Sequence, residues 1–286
     1  MPTDESAVAP LAYDVGFNNG DDSFYYLSRG LRVVAVEANP ELVTEGRLRF
    51  EPEISSGRLT IVNAAVWEQS GEKLNFFINE TEHGQSSLDA ERGKKGGQFK
   101  EITVDTLSIG DLFDRYGVPW YLKVDIEGAD EMVIRTLPAD GALPRYLSFE
   151  IPYGCPAVEM LAPLGYTGFK LINPETLTQS LPVFEHEFAL RLLRKPSVVA
   201  PWFRALISGL PESIRPQKTL WDRPKDQLGY KFSTYATGPF AEETAGPWKT
   251  ADEMKRWLDH VYREYNRAGA SDGFWYDLHA RHEAAE

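Results

Sequence analysis

The sequence predicts an α/β fold built on a doubly wound, mostly parallel sheet, and three observations carry this. First, Tyr13-Asp14-Val15-Gly16-Phe17-Asn18-Asn19-Gly20 reads as a strand running into a tight small-residue turn. Glu37 follows 17 residues later, at the end of the strand-like run Arg32-Val33-Val34-Ala35-Val36-Glu37, as in a mononucleotide-binding unit. Second, apolar runs of strand length alternate with helical segments as far as residue 151, the pattern of parallel strands joined by crossover helices. Third, Lys123-Val124-Asp125-Ile126-Glu127-Gly128 puts two carboxylates at the C-terminal end of a strand, where open α/β sheets bind ligands.

The elements follow in order. Asp21 to Arg29 is the first helix, with acidic residues in its first turn, Phe24 and Leu27 facing inward and Gly30 as its stop. Asn39-Pro40 supplies an N-cap and first residue for a helix to about Phe50. Leu59 to Val66 reads as one buried strand, and after Ser70-Gly71 the run Lys73 to Ile78 reads as a strand beside it. Residues 79–100 are polar, rich in Gly and Lys, and show little periodicity; a stretch of this length inside an α/β domain is commonly functional or mobile. Order returns at Ile102–Asp105, followed by a helix from Leu107 to Tyr116 that Gly117 closes. Trp120–Ile126 is a strand, Ala129–Leu137 a helix and Tyr146–Ile151 a strand. A short helix at Val158–Leu164 and a strand at Gly168–Ile172 complete a core of residues 1–172.

Residues 173–286 form an aromatic-rich C-terminal extension, assigned to substrate recognition or oligomerisation, with a homodimer as one arrangement. Its clearest element is an amphipathic helix from Ala251 to Arg267. Met254, Trp257, Leu258, Val261, Tyr262 and Tyr265 share one of its faces, a stripe read as core packing.

The first turn discriminates between cofactors. A dinucleotide fingerprint needs glycines at relative positions one, three and six; counted from Gly16, those positions hold Gly16, Asn18 and Asp21. Asp21 and Asp22 would face the pyrophosphate, and like charge there is unfavourable. S-adenosylmethionine (SAM) carries an ammonium and a sulfonium instead of phosphates, and Asp14 has the matching sign. Glu37 is placed to accept hydrogen bonds from two ribose hydroxyls. The bland alternative is a turn made by Gly16 and Gly20 with two acidic residues starting a helix.

Composition narrows the classes further. The chain has 286 residues, 42% apolar and 26% charged, with a net charge of −13, which argues against a nucleic-acid substrate. Cys155 is the sole cysteine, so no intrachain disulfide or cysteine-based metal site forms. No segment reads as a transmembrane helix, and Met1-Pro2-Thr3-Asp4-Glu5 lacks a signal pattern. A cytoplasmic location is expected.

Six motifs in order resemble the FkbM methyltransferase family over about residues 11 to 152: Asp14-Val-Gly16-Phe-Asn18-Asn-Gly20, Val36-Glu37-Ala-Asn39-Pro40, Asn63-Ala64-Ala65-Val66, Ser86-Ser87-Leu88, Val104-Asp105-Thr106-Leu107 and Leu122-Lys-Val-Asp125-Ile-Glu127-Gly128. The resemblance implies a class I (Rossmann-like) SAM-dependent methyltransferase that methylates a hydroxyl of a sugar, glycan or natural product. It also implies that Asp14, Gly16, Asn18 and Gly20 surround the methionine end of SAM, that Glu37 holds the ribose, and that Asn63 and Ala64 border the adenine. Asp125 and Glu127 would face the transferred methyl and the acceptor. Phe17 stands where a small residue is common, and Ala38 where Pro is.

For the chemistry, Asp125 is the first candidate for base or hydroxyl orienter and Glu127 the second, their period-two spacing giving them one side if the strand persists. His83 is a further candidate base, set against the reading of an exposed loop histidine. Asp125 and Glu127 could join a divalent metal, but no complete ligand set is visible, so no metal is predicted. Lys123 reads as a partner of these carboxylates. The rival classes are an NAD-dependent oxidoreductase or epimerase, a nucleic-acid methyltransferase, and a non-enzymatic scaffold.

Overall fold

Runs of β-branched and aromatic residues order into one eight-stranded sheet in the computed structural model, which describes residues 9–81, 86–94, 98–174, 177–179, 229–233, 236–267 and 274–283. Its strands are β1 (Leu11–Val15), β2 (Arg32–Glu37), β3 (Leu59–Asn63), β7 (Tyr121–Val124), β8 (Tyr146–Ile151), β9 (Tyr166–Asn173), β10 (Thr178–Gln179) and β11 (Tyr276–His282). They lie in the order β10-β9-β11-β8-β7-β1-β2-β3. The five strands from β8 to β3 pair in parallel, whereas β11 pairs antiparallel with both β8 and β9. β1 and β7 are buried throughout, and the one charged residue in each, Asp14 and Lys123, is paired with the other.

The predicted elements hold with local shifts. Helices α1 (Asp21–Ser28), α2 (Pro40–Arg49) and α3 (Glu51–Ser55) precede β3; α4 (Ala90–Gly93), α5 (Ile109–Tyr116), α6 (Asp130–Arg135), α7 (Ala157–Leu161) and α8 (Ala251–Arg267) follow it. Asn39 caps α2 by accepting from the Glu41 N–H at 3.0 Å. Leu59–Val66 is not one strand: the chain leaves the main sheet after Asn63, and β4 (Ala65–Val66) joins a separate sheet of order β4-β6-β5. There β5 (Lys73–Asn79) runs antiparallel to β6 (Phe99–Leu107). Phe24 is 46% exposed, contrary to expectation. Leu27 faces inward as expected, Tyr25 and Tyr26 turn inward in place of Phe24, and Tyr25 packs on Tyr230, Phe232 and Phe240.

The proposed boundary at 172/173 falls within β9, and the last strand of the chain sits between β8 and β9 in the main sheet. Met254, Leu258, Val261 and Tyr265 of α8 join the same core as Val15, Val124, Phe149 and Leu278. Segment 236–244 is fastened to the opposite face: Phe240 stacks on Tyr121 with centroids 5.1 Å apart, and Glu243 pairs with Arg29. The apolar stretch around Trp202 lies outside the described residues.

Candidate active site

β1 has β2 on one side and β7 on the other, so the connections leaving its neighbours diverge and open a crevice at the C-terminal edge. A cleft occupies that edge, with an empty volume of about 1170 Å³ including its mouth. Val15–Asn19, Glu37, Ala64, Asp125–Glu127 and Glu150 line it from the ends of the parallel strands. Thr237, Trp275 and Asp277 line it from the C-terminal third.

The first turn is held against the second. Gly16 has φ +90, and its N–H donates to the Val36 carbonyl at 3.0 Å. A Cβ on Gly16 would lie 1.8 Å from the Asp125 carbonyl oxygen, so only glycine permits this approach. Phe17 fits because Gly46 has no side chain; a Cβ there would lie 2.5 Å from the Phe17 ring. Glu37 locks the turn to the end of β2: one carboxylate oxygen accepts from the Asn18 N–H at 2.9 Å and the other from the Asn39 N–H at 2.8 Å. Burial raises the Glu37 pKa, while those two N–H groups oppose the rise.

Lys123 organises the acidic floor. Its Nζ donates to Asp14 at 3.0 Å and to the Gly16 carbonyl at 2.9 Å, and lies 3.6 Å from both Asp22 and Asp125. Burial opposes its charge, but Asp14, Asp125 and Asp22 hold its pKa well above the ordinary value. Asp22 is raised by burial, with Lys123 opposing, and it accepts from the Thr237 N–H and hydroxyl. Lys123 is the only basic residue lining the cleft among the described residues.

The remaining carboxyl groups carry perturbed protonation. Burial, then the Asp125 charge, pushes Glu127 up to about 8 and Glu150 up to about 9. Asp277 is raised well above its ordinary value by burial and Asp125, with Lys123 opposing. Arg92 approaches Glu127 at 3.3 Å.

Of the residues singled out in the sequence, Gly16, Asn18, Glu37, Ala64, Asp125 and Glu127 line the cleft together. Asp14 is fully buried beneath it, held by Lys123 and by the Ser23 hydroxyl at 2.7 Å. Gly20 caps α1 behind the turn with φ +80. Asn63 braces the turn from outside, its amide donating to the Glu37 carbonyl at 2.9 Å. His83 lies outside the described residues. Asp125 and Glu127 do not share a strand face: β7 ends at Val124 and Glu127 has φ +53. Asp130 closes this turn by accepting from the Ile126 N–H at 3.0 Å and the Gly128 N–H at 3.1 Å. Among the described residues no cluster of three or more His, Cys, Asp or Glu side chains is arranged to hold a metal ion.

Sequence reasoning passed over Glu150, Asp277 and Thr237. For Glu150 the available signal is a lone carboxylate in the strand Tyr146–Ile151; Asp277, in a strand that also carries His279, Arg281 and His282, gives none.

A mostly parallel sheet with the reversed strand β11 inserted between β8 and β9, and a cleft at the β1 switch point, define a Rossmann-like methyltransferase class of fold. Residues 14–153 match the methyltransferase FkbM domain. A search of curated proteins finds no match. Solved structures similar to the chain include precorrin-6y C5,15-methyltransferase from Geobacter metallireducens GS-15, at 14% identity and TM-score 0.30 over 59% of this chain and 71% of that one. A SAM-dependent methyltransferase from Geobacter sulfurreducens, solved with S-adenosylhomocysteine, has 14% identity and TM-score 0.28 over 95% and 83%. A phosphoethanolamine N-methyltransferase from Haemonchus contortus, solved with phosphomonomethylethanolamine and S-adenosylhomocysteine, has 8% identity and TM-score 0.36 over 99% and 51%.

Proposed function

We propose that the protein is a SAM-dependent methyltransferase acting on a hydroxyl of a sugar, glycan or natural-product acceptor. The observation that carries this reading is the acidity of the cleft: its described lining contains the carboxyl groups of Asp21, Asp22, Glu37, Asp125, Glu127, Glu150 and Asp277, a bound cation favours the ionised form of those that burial raises, and the one basic residue is already engaged. Such a lining suits a cationic cofactor and repels a pyrophosphate. The residues therefore fit SAM better than NAD. Gly16, Asn18 and Glu37 would hold its amino-acid and ribose parts, and Ala64 would border the adenine; Asp14, Gly20 and Asn63 would support that wall from behind.

Bound there, SAM supplies an electrophilic sulfonium methyl group and leaves as S-adenosylhomocysteine (SAH). The protein's part is to align the acceptor, exclude water and receive its hydroxyl proton. Asp125 and Glu127 are our candidates for this, with His83 a third. Glu127 is pushed up to about 8, close to where a base both accepts and releases a proton near neutrality.

In this reading residues 1–172 carry the cofactor, and 173–286 recognise the acceptor or a second copy of the chain. Among the described residues no helix is long and apolar enough to cross a membrane, and the sole cysteine, Cys155, is free and buried. Methyl transfer from labelled SAM to a panel of cell glycans and small hydroxylated metabolites tests the assignment. Label in an alkali-stable ether supports it, whereas label only in amines, nucleic acid or carboxyl esters rejects O-methylation of a hydroxyl.

A further inference from the structure

Glu150 and Asp277 are directly opposed partners in the antiparallel register of β8 and β11. Residues opposed in this way put their side chains on the same face, about 5 Å apart at Cβ. Both line the cleft. Asp277 is 8% exposed, yet neither carboxyl group has a hydrogen bond or ion pair among the described residues. That contrasts with Asp14, Asp22 and Glu37, all buried in the same site and all held by donors. A buried carboxyl group without a donor is costly, so a pair left open toward a cavity is poised for donors that arrive with a ligand. Trp275, two residues before Asp277, is 42% exposed and lines the same cleft. An apolar ring beside two hydrogen-bond acceptors matches a sugar, which has an apolar C–H face and a rim of hydroxyls.

Resting on the methyltransferase reading, we infer that Glu150 and Asp277, with Trp275 beside them, form the acceptor subsite, and that it takes a neutral or cationic polyhydroxylated ring and excludes anionic acceptors. Neighbouring carboxyl groups resist ionising together, and both of these are raised, Glu150 to about 9. Near neutrality the pair therefore keeps a proton and can both donate to and accept from vicinal hydroxyls. Asp125, Glu127, Asp130 and Asp22 also act on the pair, and Lys123 is the one cation in the described lining. Lys123 is already bound to Asp14, so a phosphate or carboxylate on the acceptor would find no free positive charge in the described lining.

Saturation-transfer NMR on the full chain with saturating SAH tests this, using methyl glucoside, glucosamine and glucose 6-phosphate as probes. The expected result is transfer to the first two and none to the phosphate. Glu150→Gln and Asp277→Asn should each weaken methyl glucoside binding at least tenfold while SAH affinity stays within twofold. No transfer to the neutral sugar, equal binding of glucose 6-phosphate, or variants that bind methyl glucoside like the parent would overturn the inference. SAH affinity, measured by calorimetry on the same samples, reads the cofactor assignment separately. Sugar failing while SAH binds rejects the subsite alone. If SAH fails, the methyltransferase reading falls, and the sugar arm repeated on the free protein still decides the subsite.

Discussion

Replacing Lys123 by Met removes the charge that sits among Asp14, Asp22 and Asp125 while keeping most of the side-chain volume. The lysine is 3% exposed, with its Nζ 3.0 Å from Asp14 and 3.6 Å from each of the other two carboxylates. At an effective dielectric of about 20, each such contact is worth about 5 kcal/mol of attraction, offset by desolvation. Breaking a buried pair by deleting one partner costs about 3–5 kcal/mol, because a buried charge is left uncompensated. Urea unfolding of Lys123→Met is therefore expected to show a loss of that size at pH 8. Asp22 is already raised by burial and loses the charge that opposes the rise. In the variant the native state then binds more protons than the unfolded state, so stability is retained at low pH and lost as pH rises. The deficit should be smaller at pH 5.5 than at pH 8. A loss below about 1 kcal/mol at both pH values would refute the view that Lys123 holds the floor together.

Four further outcomes follow from the same geometry. Gly16→Ala would push its Cβ into the Asp125 carbonyl, 1.8 Å away; displacing that turn by about 1 Å should lower the methyl-transfer rate about 100-fold, measurable by SAH release. Glu37→Gln keeps one acceptor oxygen for two N–H donors, so SAM affinity measured by calorimetry should fall by about 1–3 kcal/mol, the cost of an unsatisfied buried donor. Glu127 and Glu150, pushed up to about 8 and 9, are largely neutral at pH 6.5. As pH rises to 9.5 they ionise and attract the sulfonium that SAM has and SAH lacks, so the ratio of SAM to SAH affinity should rise; a flat ratio rejects this. By the same sign, the ligand-free protein should lose stability as pH rises through 8 to 9, since its native state binds the extra protons.

Local chemistry was legible from the sequence. Gly16, Asn18, Gly20 and Glu37 are read by turn conformation and strand period, and the structure builds the first turn from these residues. Val124 shows where such reading stops: period-two spacing placed Asp125 and Glu127 on one face, but Asp130 draws the Ile126 and Gly128 N–H groups into a turn. Phe24 was misassigned because Tyr230, Phe232 and Phe240, distant in sequence, pack on Tyr25 and decide which face of α1 is covered. Glu150 and Asp277 were invisible for the same reason. Each is the single carboxylate of its strand, and only the insertion of β11 beside β8 brings them together. Contacts between residues this far apart leave no local periodicity.

Calorimetric titration of the protein with SAM, SAH and NAD tests the central claim, a cleft built for a cationic adenosyl cofactor, most directly. The account predicts micromolar-range binding of SAM and SAH and none of NAD. NAD binding, or no heat from SAM and SAH at millimolar ligand, would contradict it.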